Sequence, residues 1–406
     1  MPGTDIAVTG LGLITPAGTG VEASWRGLLR GRSLAAPDPL LTGLPVDFSC
    51  AVPDFDADAV LGRRLSWRLD RFVHLGLAAA RQAVADAGLD PDTWPSQRVA
   101  VVLGVGSNSL ERYETAFRLL REDRIEDASP LSLPRSVPNM LAGEVGLDLG
   151  ARGPNFTTNS ACASGATAIG VARDLLRAGV CDIAITGGSE SGRARGAAAF
   201  FGRMGALSQR RPPRTASRPF DADRSGFVLG EGAAVLVLER AADAAQRRAP
   251  VRAYLSGYGA SADAYHFTSP HPQGLGAEAA MLTALADAGL EPDDIGHINA
   301  HGTSTVHNDV AESRALRRVF REPPPVTANK SVIGHTLGAA GAIEAAYTVL
   351  TLQHRTIPPT ANLDKLDPEI DLDIVSGDPR PSSLNAAMST SFGFGGQNAA
   401  LLFRSP

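Results

Sequence analysis

The stretch TTNSACASGATAIGVARDLL (residues 157–176) changes character half-way along. NFTTN (155–159), which overlaps its start, is β-like. Beyond it, Ala168, Ala172, Leu175 and Leu176 fall on one helical face. A strand that turns straight into a helix is the building unit of α/β architecture. Here the turn carries a lone cysteine, Cys162, among the small residues Ala161, Ala163, Ser164 and Gly165. At a helix amino terminus, unpaired amides and the positive dipole end lower a thiol's pKa and can cradle an oxyanion. Small neighbours let a substrate approach the backbone. The residues leave two readings open: an activated nucleophile, or an inert buried cysteine, a common core residue.

Outward from this turn, short β-like runs alternate with Ala-rich helical patterns, as in an α/β protein. DIAVTGLG (5–12), RVAVVLGVG (98–106), DIAITGG (182–188) and AAVLVLE (233–239) read as strands. RFVHLGLAAARQAVADAG (71–88) reads as a helix stopped by Gly88. Near VRAYLSGYG (251–259) the theme restarts, giving an expected division into residues 1–250 and 251–406. A helix follows at 277–289, a strand in GHINAHG (296–302), a helix at 337–353 and a closing strand, AALLF (399–403). AVADAGLDP (83–91) and ALADAGLEP (284–292) end two helices alike, which suggests two similar halves.

Composition narrows the classes of function. The 406 residues carry a net charge of −5, which makes no whole-molecule case for nucleic acid or an anionic membrane. Seven arginines lie between Arg193 and Arg218 with no acid from Ser191 to Pro219; without a nucleic-acid motif, a solvated or substrate-facing loop is the reading. No apolar run approaches the roughly 20 residues of a membrane span, and MPGTDIAVTG lacks the pattern of a signal peptide. Cys50, Cys162 and Cys181 match no metal spacing and no closed disulfide set, so a cytoplasmic, reduced protein with no metal site is expected.

Further chemistry-bearing residues sit in Gly-rich settings. AHGTST (300–305) places His301 after a predicted strand, and ANKSVIGHTLGAAGA (328–342) places Lys330 and His335 on a loop before a helix. SFGFGGQN (391–398) has glycines able to move and two phenylalanines, Phe392 and Phe394, as plugs. VTGLGLITPAG (8–18) mimics half a dinucleotide fingerprint, but its third glycine is replaced by Thr15, which argues against nucleotide binding.

These segments together carry a resemblance. With VPNMLAGEVG (137–146), ACASG (161–165), RPFDADRSGFVLGEGAAVLVLE (218–239) and DAYHFTSP (263–270), the chain resembles the elongating β-ketoacyl-[acyl-carrier-protein] synthases of the thiolase superfamily. The resemblance implies a thiolase fold, αβαβα, with two five-stranded sheets, built as a dimer. It implies that Cys162 holds an acyl chain as a thioester, and that malonyl-carrier protein loses its carboxylate against His301 and His335, which act as neutral donors. The backbone N–H groups of Cys162 and Phe394 would form the oxyanion hole, and Phe394, with Phe392 and Gly395, the gate. Lys330 would pair with Glu312 and orient the site near Asp309; the alternative, a Schiff-base lysine, is disfavoured by the intact Cys–His–His set. Thr303 and Thr305 would hold the 4'-phosphopantetheine arm, which the acyl carrier protein supplies, so no cofactor of its own is expected.

Several positions depart from the family's pattern. Arg63, Arg64, Arg68 and Arg71 form the expected patch for an acidic carrier, but a second basic pair is replaced by Glu126 and Asp127. Ser107 replaces a bulky aliphatic residue of the acyl pocket, and Ser132 an aromatic one contributed across the dimer. Both enlarge the pocket or make it more polar, which suits a polyene or aryl-capped chain and a type II polyketide pathway, with housekeeping fatty-acid elongation as the alternative. Such an enzyme works as a homodimer or beside a ketosynthase-like subunit. A non-catalytic partner subunit would lack the nucleophile, and a thiolase would need a second cysteine near the carboxyl end, where there is none after Cys181.

Overall fold

Apolar alternation and Ala-rich helices build two sheets that share a middle layer. The computed structural model describes residues 5–107 and 109–406. Asn108, within GVGSNS, and the first four residues lie outside this range. In the first half the strands are β1 (Ile6–Thr15), β2 (Val99–Gly104), β3 (Asn155–Thr158), β4 (Ile183–Ser191) and β5 (Glu231–Arg240), in the spatial order β3-β2-β4-β5-β1. In the second half, β6 (Ala253–Ala262), β7 (Ile298–Asn299), β8 (Val326–Thr327), β9 (Ala386–Gly393) and β10 (Gln397–Arg404) take the order β8-β7-β9-β10-β6. Numbered within its own half, each is 3-2-4-5-1. In both, the first three strands of the spatial order run parallel and the last two join antiparallel. The two sheets are not separate: Ile6 to Val8 of β1 pair with Leu255 to Ala253 of β6, so they meet at a corner.

The principal helices are α1 (Arg71–Asp86), α2 (Leu110–Arg121), α3 (Met140–Leu149), α4 (Ser164–Arg177), α5 (Arg195–Arg203), α6 (Leu275–Ala288), α7 (Val306–Val319) and α8 (Ala340–His354). They sort by which side of a sheet they cover. α1 and α3 bury their apolar faces on the outer side of the first sheet. α6 and α7 do the same on the second. α4 and α8 lie between the sheets in one continuous core with Leu236, Leu238, Leu401 and Phe403. This gives the five layers αβαβα. α8 is buried almost all round, from Ala340 to Leu352, as a helix in a central layer must be.

The middle layer is tight because its facing residues are small. A Cβ on Gly165 of α4 would lie 2.7 Å from the Ala342 nitrogen, and one on Gly341 of α8 2.8 Å from the Ala166 nitrogen. The small residues around Cys162 therefore have a packing reason as well as a chemical one. The segment expected to be a strand over 296–302 shortens to Ile298–Asn299, and the helix expected from 337 begins as a 3₁₀ turn at Leu337–Ala339 before α8 starts at Ala340.

Candidate active site

The strand order brings the ends of β3, β7, β8 and β9 to one place, and the turns after them carry the reactive side chains. After β3, a 3₁₀ turn over Ala161–Ala163 leads into α4 with Cys162 at its centre. Ala161 is held at φ 49°, a conformation an L-residue adopts only under constraint. The turn is pinned locally: Ser164 Oγ donates to the Ala161 carbonyl at 2.6 Å and accepts the Ser160 N–H at 3.0 Å. Gly393 fits against it only because it has no Cβ, which would lie 2.4 Å from the Ser160 carbonyl oxygen.

Two cavities meet at Cys162. One, of about 340 Å³, is lined by His301, His335, Thr303, Thr305, Phe392 and Phe394 as well as Cys162. The other, of about 330 Å³, runs from Cys162 past Ser107, Leu110, Ala197 and Phe200. Cys162, Phe201, Met204, Leu337 and Phe394 line both. Phe394 therefore stands between the two spaces, its ring 6.3 Å from that of Phe201, and its backbone N–H helps to lower the pKa of the Cys162 thiol. Ser132 lines neither cavity of the single chain.

The hydrogen bonds fix the tautomers of both imidazoles. His335 Nδ1 accepts the Leu337 N–H at 3.2 Å, so its proton sits on Nε2. Lys330 Nζ lies 3.3 Å from His301 Nδ1 and 2.6 Å from the His301 carbonyl oxygen. An ammonium only donates, so Nδ1 of His301 also accepts and its Nε2 also carries the proton. The rings lie 5.6 Å apart and nearly perpendicular, at 86°. Burial first, and then the charge of Lys330, hold both well below the ordinary histidine value. The site thus presents two neutral N–H donors to one cavity.

The structure corrects two expectations. Lys330 does not pair with Glu312; its partner is Glu344 of α8, buried like itself. Glu312 is spent on the backbone after β7, accepting the N–H of His301 and of Gly302 at 2.8 Å each and the Thr390 hydroxyl at 2.9 Å. Asp309 accepts the Phe220 N–H at 2.9 Å and faces Arg224 rather than Lys330. Glu344 was legible only as a lone acid inside the apolar run AGAIEAAYTVLTL, where an unpaired charge cannot stay. The second correction concerns the thiol. Cys162 lies in the turn before α4, and burial pushes its pKa up to about 11, against the lowering influence of Lys330 and the Phe394 N–H. Desolvation outweighs both lowering influences, which favours the protonated sulfur at rest.

The expected docking patch is half committed elsewhere. Arg68 donates to buried Glu144 at 2.9 Å, and Arg71 to buried Glu231 at 2.8 Å. Arg63 and Arg64 are exposed and carry no ion pair among the described residues. The run from Arg193 to Arg218 is also partly committed. Arg193, Arg211 and Arg218 pair with Asp38, Asp47 and Asp221. Arg203, Arg210 and Arg214 pair with no carboxylate among the described residues, and Met204, Gly205 and Ala206 of the same segment line the first cavity.

Residues 3–244 match the family pattern described as "Beta-ketoacyl synthase, N-terminal domain", and residues 252–364 the one described as "Beta-ketoacyl synthase, C-terminal domain". The chain belongs to the β-ketoacyl synthase family. This β-ketoacyl synthase is 41% identical over 405 residues to the 3-oxoacyl-[acyl-carrier-protein] synthase 2 of Synechocystis, covering 98% of this chain and 97% of that protein. The solved ishigamide ketosynthase/chain length factor superposes with a TM-score of 0.94 at 34% identity, over all of both chains. A type II PKS ketosynthase, solved bound to the hexaketide and in complex with its acyl-carrier protein, matches all of both chains with a TM-score of 0.89 at 28% identity. Among the described residues, no helix of the synthase is long and apolar enough to cross a membrane.

Proposed function

We propose that this β-ketoacyl synthase lengthens an acyl chain by two carbons taken from malonyl-acyl carrier protein. The observation that carries the reading is the pair of cavities joined at Cys162, one holding two imidazole N–H donors and the other mostly apolar. Cys162 attacks the thioester of an incoming acyl-carrier protein. The acyl–pantetheine bond breaks, and the departing carrier thiol keeps the proton the cysteine gives up. The chain lies along Ser107, Leu110 and Phe200. Malonyl-carrier protein then enters the first cavity, with Thr303 and Thr305, whose hydroxyls are 2.8 Å apart, beside the pantetheine arm. The bond to the carboxylate breaks and carbon dioxide leaves. The electron pair becomes an enolate whose oxygen is held by the His301 and His335 N–H groups. The enolate carbon attacks the acyl carbonyl. Cys162 and Phe394 N–H groups stabilise the tetrahedral oxyanion, which collapses by expelling the Cys162 sulfur as a thiolate that takes a proton from water. The product is a 3-oxoacyl-carrier protein two carbons longer.

The carrier docks on Arg63 and Arg64, with Arg203, Arg210 and Arg214 as further cations, unpaired among the described residues, on the segment whose Met204, Gly205 and Ala206 line the first cavity. The enzyme acts as a dimer of itself or with a ketosynthase-like subunit, and needs no cofactor beyond the carrier's arm. We read the chain as two duplicated halves meeting near residue 250, which the shared strand order supports. A cytoplasmic site of action goes with this reading, supported by three free cysteines. Ser107 in the acyl cavity and the polyketide ketosynthases among its structural relatives favour a type II polyketide pathway. The curated 3-oxoacyl-[acyl-carrier-protein] synthase 2 relatives favour fatty-acid elongation as the second reading. Intact mass spectrometry with saturated, polyenoyl and aryl-capped acyl-carrier proteins tests both. The polyketide reading expects the unsaturated chains to load faster, and equal or faster loading of saturated chains overturns it. Cys162→Ala should abolish the mass gain; a mass gain that survives overturns the nucleophile.

A further inference from the structure

Strand β4 is buried along IAITGGSE, and the SES at its end places Glu190, only 2% exposed. A carboxylate so deeply buried needs donors. It accepts the Gly106 N–H at 2.7 Å, the Ser107 N–H at 3.1 Å and the Ser107 hydroxyl at 3.2 Å, and no cation pairs with it among the described residues. Gly106 and Ser107 line the acyl cavity beside Cys162. The same segment is tied from its other side, since Val105 N–H donates to the Thr158 carbonyl at 3.1 Å, just ahead of the nucleophile's turn.

The repeated strand order explains why an acid is there. The turn Ala161–Ala163 before α4 corresponds to the turn Leu337–Ala339 before α8, and Ala161 and Leu337 share φ 49°. Cys162 thus corresponds to Gly338. Cys162 faces the end of β9, where a Cβ on Gly393 would lie 3.3 Å from the Cys162 nitrogen. Gly338 faces the end of β4, the corresponding strand. A Cβ on Gly338 would lie 2.1 Å from the Gly106 nitrogen and 2.9 Å from Glu190 Oε2. In the half without a nucleophile, the space that would surround a reactive side chain is taken by Glu190 and the cavity wall.

Building on the acyl-transfer reading above, we propose that Glu190 is a positioning residue for acyl-chain selectivity, because its three accepted hydrogen bonds hold Gly106 and Ser107 as the wall the bound chain lies against. Ser107 spends its hydroxyl proton on Glu190, so the wall offers the chain a small side chain with no free donor. Losing the carboxylate frees two backbone N–H groups and one hydroxyl at that wall.

The test compares the wild type with Glu190→Ala, Glu190→Gln and Ser107→Ala. Loading rates onto Cys162 are measured by intact mass with a saturated and a conjugated polyenoyl pantetheine thioester of equal length. Decarboxylation of a malonyl pantetheine thioester, which belongs to the histidine cavity, is measured beside them. Glu190→Ala should change the polyenoyl-to-saturated ratio by about fivefold or more, with decarboxylation falling less than loading. Glu190→Gln keeps an oxygen able to accept both N–H groups and should restore most of the ratio. Ser107→Ala should shift it in the same direction as Glu190→Ala. An unchanged ratio in Glu190→Ala, or equal losses of loading and decarboxylation, overturns the proposal. Should Glu190→Ala not fold, an unchanged ratio in Ser107→Ala overturns it. A wild type that loads neither chain overturns the acyl-transfer reading instead.

Discussion

Lys330 is buried to 1% exposure and spends its donors on Glu344 and on the carbonyl and Nδ1 of His301. Its charge serves the site by fixing which nitrogen of His301 carries the proton. Lys330→Ala leaves Glu344 buried without its cation, so denaturant unfolding should show a loss of about 3–5 kcal/mol, together with weakened malonyl decarboxylation. Cys162 makes a second test. Its pKa is raised to about 11, so the reactive thiolate is the minor form at neutrality. Alkylation of the unloaded enzyme by iodoacetamide should therefore quicken by about tenfold per pH unit between pH 7 and 9; a rate already levelling off below pH 8 would contradict the raised pKa. At this scale the sequence pointed to Cys162, His301 and His335 in Gly-rich turns, and the structure brings the three to one cavity. It did not disclose Glu344 or Glu190, since an acid's importance in an apolar run depends on which donors the fold brings to it. Nor could spacing reveal that desolvation outweighs the influence of Lys330 at the thiol.

Among the elements, α4 and α8 decide where Cys162 stands, because the turn carrying it runs directly into α4. Gly165→Ala should push α4 away from α8, since the added carbon would lie 2.7 Å from the Ala342 nitrogen. Overpacking of this kind costs about 1–3 kcal/mol, and loading of Cys162 should slow with it; a variant as stable and as quickly loaded as the parent would show that the middle layer has slack. Most strands were readable from apolar runs, and the structure moves their ends by a few residues. β9 was not. Its sequence, AAMSTSFG, looks like a loop, yet Ser389, Thr390 and Ser391 are fully buried. A central strand packed closely against helices needs small side chains, and small polar residues carry no β signature of their own.

Over the whole molecule, the phrase shared by residues 83–91 and 284–292 hinted at a repeat that strand order makes plain. The corner between β1 and β6 left no trace in the sequence, because strand pairing across a repeat has no local pattern. The first sheet ends at β3, which pairs with β2 on one side and leaves its other edge open with Phe156 half-exposed. Such an edge invites another chain. Phe156→Arg should shift the molar mass measured by light scattering from dimer toward monomer; an unchanged dimer would place the interface elsewhere. The shared middle layer also bears on how the protein is made. The apolar flank of α4 leaves the ribosome long before α8 exists to cover it. At ordinary rates of translation that interval is on the order of ten seconds. Throughout it the nascent first half carries a sticky, uncovered surface, so its synthesis should lean on chaperones more heavily than that of a protein whose domains close one at a time.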